Sequence, residues 1–298
     1  MLLTMRRPLL VALSLLVAGC TAGPSATTPP STAPTATASP SGGGFGAIEH
    51  ATGPTDVLLR FEQGGGFVAP AFLATQAPTF TLYGDGTVVF RNPAQDPLPP
   101  IGSVVPERPF RTASLTEDQI QGVLEDALGP GGLGIARTDY RSDQIADAPT
   151  ATFTIDAGGL RKQVSIYALG MDVQGSADAP ARAAFQKLAE RLQDFDRGGR
   201  FSTSEYAPGH YRGILMDGGP GVPGAKSWPW PDLEPGDFVA NQDPNAFQLP
   251  SRVLAVSDVE ALGISPYRGG FQGLTLTGPS DGKIYAFSLR PLLPDETK

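Results

Sequence analysis

Cysteine occurs once in the 298 residues, at Cys20; histidine occurs twice, at His50 and His210, and tryptophan twice, at Trp228 and Trp230. One cysteine excludes an internal disulfide, a thiol nucleophile in the folded part and a cysteine-rich zinc site. Two histidines all but exclude a histidine-rich metal centre. A Ser-His-Asp triad would have only His210 to use, and no G-x-S-x-G elbow is present. Phosphate-binding loops are missing too: the run Gly64-Gly65-Gly66 has neither the lysine nor the spacing. No cofactor is expected. Long apolar runs are also absent. The stretch from Leu9 to Val17 is about nine residues, whereas a bilayer span needs roughly 20. Basic residues are outnumbered, 22 against 30 acidic, which fits neither nucleic acid nor anionic lipid head groups.

What is present begins with order at the N-terminus. Arg6 and Arg7 precede the apolar run, and Val17-Ala18-Gly19-Cys20 follows it. A charged segment, an apolar segment and a small-residue cut site in that order form a secretory signal. The last four residues resemble the lipobox of bacterial lipoproteins. That resemblance implies cleavage before Cys20, acylation of its sulfur and anchoring on the outer, extracytoplasmic face of the cell membrane. It also explains a lone cysteine in an exported chain. Removing residues 1–19 takes away two arginines and no acid, so the net charge moves from −8 to −10. Beyond the lipobox the folded body resembles no characterised family.

Residues 20–47 are rich in Thr, Pro, Ser and Gly, with no charge from Thr21 to Gly44. Such a composition cannot offset its ordering entropy and reads as a disordered tether. About 24 residues reach roughly 70 Å when stretched and 25–30 Å as a coil. Two α+β lobes are expected after it, 48–200 and a smaller 201–298. Periodicity predicts a strand over 57–61 and a hairpin over 80–90 turning at Asp85-Gly86. It predicts a helix over 117–128, boxed by Thr116 and Gln119, and a hairpin over 152–169. A second helix is expected over 180–195 and strands over 210–216 and 252–256. Ser257 to Glu260 reads as a capping box opening a short helix, and a last hairpin turns at Ser280-Asp281-Gly282. Antiparallel hairpins covered by helices, in two closely packed lobes, give the fold class α+β.

Two features invite a functional reading. Asp139, Asp143 and Asp147 stand four apart and would share a face if their loop were helical, the kind of placement that carboxylate-only hydrolysis uses. Trp228-Pro229-Trp230-Pro231 holds both tryptophans in an extended segment, where residues i and i+2 face the same way. The rings then make either a flat platform for a ligand or an apolar lid over the core. Trp228 and Trp230 are the candidate ligand-binding residues; no catalytic or metal residues stand out. The reading is a lipid-anchored, monomeric, non-enzymatic protein that binds or scaffolds an envelope component. A lipid-anchored hydrolase of envelope or extracellular polysaccharide is the alternative. A transport receptor fits less well, because such lobes alternate β and α.

Overall fold

The computed structural model describes residues 46–91, 95–142, 144–171, 177–197, 199–219, 224–240 and 249–297. The signal segment, the lipobox with Cys20, the tether up to residue 45 and Asp143 lie outside the described residues. Along the chain the elements are β1 (Val57–Gly65), α1 (Pro70–Thr75), β2 (Phe80–Tyr83), β3 (Thr87–Phe90), β4 (Val105–Pro106) and β5 (Arg111–Ser114). Next come α2 (Glu117–Leu128), β6 (Asp139–Tyr140), β7 (Pro149–Ala157), β8 (Leu160–Tyr167), α3 (Ala179–Gln193) and β9 (Ser204–Glu205). The remainder is β10 (His210–Asp217), β11 (Lys226–Ser227), β12 (Ser251–Ala255), α4 (Val256–Glu260), β13 (Phe271–Thr277) and β14 (Ile284–Pro291). The class is α+β, with two sheets. No described helix is long and apolar enough to cross a membrane.

The first sheet has the order β6-β8-β7-β1-β2-β3-β5-β9. Strand alternation sorts its side chains onto two faces. Phe61 lies opposite Phe80 and Phe153, and Leu59 opposite Leu82 and Ile155. These residues meet Ile120, Leu124, Phe185 and Leu192 from α2 and α3 in one core. Rings of Phe61 and Phe153 stand 4.8 Å apart. The helix bounds follow local chemistry. Thr116 accepts the Gln119 N–H at 3.4 Å, and Gln119 accepts the Thr116 N–H at 2.9 Å. The expected box on α2 is therefore present, with acidic Glu117 and Asp118 in the first turn where the helix dipole favours them. The chain enters the body here. Gln121 brackets Ile48, accepting its N–H at 2.7 Å and donating to its carbonyl at 2.9 Å.

The second sheet has the order β11-β13-β14-β10-β12, and β4 pairs with β13. Tyr211, Leu254, Phe271, Phe287 and Leu289 form its core with α4 residue Val259. α4 differs from expectation at its start. Ser257 is not the cap; the helix begins directly after β12, with Ala255 at the N-cap position and the Asp258 carboxylate accepting its N–H at 2.9 Å.

The sheets do not divide the sequence cleanly. β4, from the N-terminal part, extends the second sheet, while β9, past residue 200, extends the first. α1 leaves β1 of the first sheet and lies against β10, β13 and β14 of the second. The C-terminal segment closes the seam. Leu293 is buried with Tyr83, Val89 and Phe110. Asp295 accepts 2.7 Å bonds from both Arg60 and Tyr83. Glu296 takes Arg290 through two bonds, 2.7 and 3.0 Å.

Candidate functional site

The tryptophan pair forms no platform. Trp230 is only 5% exposed and packs 5.6 Å from Phe287. Its indole N–H donates to the Asp258 carbonyl at 2.8 Å. Trp228 is half-buried on the same core, and its N–H donates to the Leu233 carbonyl at 2.6 Å. The two rings meet at 82° with centroids 5.1 Å apart. Both rings sit on the core of the second sheet rather than on a free surface. The segment is a lid on the second core.

The acidic loop is not a site either. Asp139 lies in β6 and pairs with Arg141 at 2.5 Å in solvent. Asp147 has left-handed backbone, φ 55°. Around Asp139 and Asp147 the described residues are strand, bend and irregular chain rather than helix, so no helical face joins the two. His210 is exposed at the start of β10. His50 lies against Glu117, with Nε2 3.0 Å from its carboxylate. Bonds from Gln121 and then His50 hold Glu117 below the ordinary carboxylate range.

The strongest candidate is a groove that sequence reasoning missed. β1 and β2 part after Phe61, whose carbonyl accepts the Thr79 N–H at 2.9 Å. Beyond that point β1 stays paired with β7 alone, through Gly65 opposite Pro149. Gly65 and Gly66, at φ 82° and 80°, then swing the chain into α1. Positive φ suits glycine because it has no Cβ to clash. The wedge between the diverging strands is where Gln76 and Ala77 sit, and two clefts meet over them. One, of about 510 Å³, is lined by Phe72, Gln76, Arg91, Gln95, Val105 and Glu107 among others. The other, of about 260 Å³, is lined by Glu62, Gln63, Gln76, Thr150 and Thr152 with Gly64 and Ala77.

The two clefts differ in charge balance. In the larger one Arg91 and Glu107 form an ion pair, with the guanidinium 4.4 Å over the Phe110 ring. Gln272 of the second sheet reaches in, donating to Thr75 at 2.9 Å and Glu107 at 3.4 Å. In the smaller one burial pushes the Glu62 carboxyl above its usual value, partly offset by Arg60. Its carboxylate accepts no hydrogen bond among the described residues. Hydrolysis by two carboxylates needs an acid and a base or nucleophile acting together. Here Glu107 is tied to Arg91, and Glu62 stands by itself.

The rim is apolar. Phe72, 44% exposed, and Val105, 50% exposed, line the larger cleft. This end of the sheet lies opposite the chain's entry. Gly158, past the other end of β7, donates to the Glu49 carbonyl at 2.7 Å. A nine-residue strand separates the two ends by about 27 Å. No family model matches this chain, and neither a curated protein nor a solved structure does.

Proposed function

We propose that this is a lipid-anchored envelope protein, held by acylated Cys20 on the outer face of the cell membrane, that binds a ligand in the groove at α1. The observation that carries the binding half is the groove's make-up. Uncommitted amides, hydroxyls and one carboxylate line it, and exposed aromatic and aliphatic side chains rim it. That combination marks ligand pockets at the junction of structural units. The anchoring half rests on the lipobox. The composition of 20–47 supports a tether long enough to lift the body clear of the head groups.

Two acyl signals are enough for stable anchoring, and a single protein sulfur supplies the attachment point. Cys20→Ser should therefore abolish incorporation of a labelled fatty acid and move the protein out of the membrane fraction, or leave it as unprocessed precursor. Continued labelling of the variant would refute the anchor. The groove is tested separately by sedimentation with purified envelope fragments from the host. Phe72→Ala combined with Gln95→Ala should reduce retention at least tenfold, while the melting temperature stays within a few degrees. Undiminished retention would remove the groove from the function.

A further inference from the structure

We propose that the smaller cleft, around Glu62, receives a primary ammonium group of the ligand. This rests on the groove's being a binding site and adds the chemistry of what it binds. Charges balance on the face where the C-terminal segment meets the first sheet. Arg60, Arg290 and Arg212 supply three positive charges there, and Glu62, Asp295 and Glu296 three negative ones. Asp295 is taken by Arg60 at 2.7 Å and Glu296 by Arg290 at 2.7 Å. Of the three carboxylates, Glu62 is the one without an ion pair or hydrogen bond among the described residues. Arg212, on β10, faces Arg290 and Glu296 and is not among the charges that act on Glu62. Arg91, in the adjoining cleft, is already paired with Glu107.

The other polar groups of the cleft are Gln63, Gln76, Thr150 and Thr152. Each carries an oxygen that accepts a hydrogen bond, and none carries charge. An ammonium has three donors and no acceptor, so one charged and several neutral acceptors match it. An anionic ligand would place a second negative charge beside Glu62. A ligand with hydroxyls alone would donate to the carboxylate without forming an ion pair with it. The partial burial of Glu62 strengthens its attraction for an incoming cation, because the local dielectric is below that of water. A cleft of about 260 Å³ holds an ammonium head on a short chain. The rest of the ligand would run past Gln76 into the larger cleft, over Phe72 and Val105.

The ammonium can come from a small amine or from a lysine side chain, and calorimetry distinguishes them. Full-length Cys20→Ser protein in an amine-free buffer is titrated with n-pentylammonium, Nα-acetyl-lysine amide and neutral n-pentanol. Saturable binding of one or both cations, at least tenfold tighter than pentanol, supports the proposal. The preferred cation identifies the source. Glu62→Gln should weaken that binding tenfold or more without lowering the melting temperature. Parent affinity should also fall on acidification as Glu62 protonates, above the pH at which an ordinary glutamate does. Pentanol binding as well as the cations, an unchanged affinity in Glu62→Gln, or no cation binding at all overturns the ammonium assignment. If envelope retention still depends on Phe72 and Gln95, the groove stands and only its ligand chemistry is wrong. If it does not, both readings fall.

Discussion

Replacing Trp230 with alanine is expected to lower the unfolding free energy by about 3–5 kcal/mol. The ring fills the second core between Phe238 and Phe287, and its N–H satisfies the Asp258 carbonyl. Truncation removes the apolar contacts, leaves a cavity and orphans that carbonyl at once. Trp228→Ala should cost less, about 1–3 kcal/mol, because its ring keeps one side toward solvent. Urea unfolding checks both. The midpoint should fall more for Trp230→Ala, with the slope preserved if the rest of the fold persists. Near-neutral substitution at both positions would mean the indoles are not the lid described here, and the ligand platform would return as the better reading.

Asp295→Ala should cost about 2–4 kcal/mol, a large effect for a residue three places from the C-terminus. The carboxylate serves two partly buried donors, Arg60 and the Tyr83 hydroxyl, both at 2.7 Å. Its loss strands a guanidinium and a phenol at the seam between the sheets. The same seam predicts an alkaline limit. Burial raises the Tyr83 phenol, as does its bond to Asp295. Burial, then Glu296 and Asp295, raises Tyr206 to about 12. The folded state thus holds these protons more tightly than the unfolded chain, whose tyrosines titrate near 10. The resulting stabilisation is complete below about pH 10 and is lost as pH rises through 12. Melting temperatures measured from pH 8 to 12 should decline only over the upper half of that range. Tyr206→Phe should flatten the decline.

Features written in neighbouring residues were legible in the sequence. Thr116 and Gln119 set the start of α2, Asp85-Gly86 set the first turn, and alternation through Thr152 to Ile155 set a strand. The direction in which the Trp228 and Trp230 rings face was not legible. That direction depends on a sheet made from β10, β13 and β14, which periodicity cannot place beneath it. The groove was hidden for the same reason. Glu62 and Thr152 become neighbours only because β1 pairs with β7, some ninety residues away. α1 has six residues, glycines before it and proline at its start, so it offered no helical period to detect. Glu62 itself left one trace. It follows Phe61 in a strand, so one of the two had to face away from the helices.

A groove that binds an envelope component must lie against it in the living cell. A photo-crosslinking amino acid placed at position 72 should capture an envelope component in intact host cells. The same group at Ile135, exposed elsewhere on the folded body, should capture none. Capture at both positions to the same extent, or at neither, would contradict the assignment of α1 as the place where this protein binds.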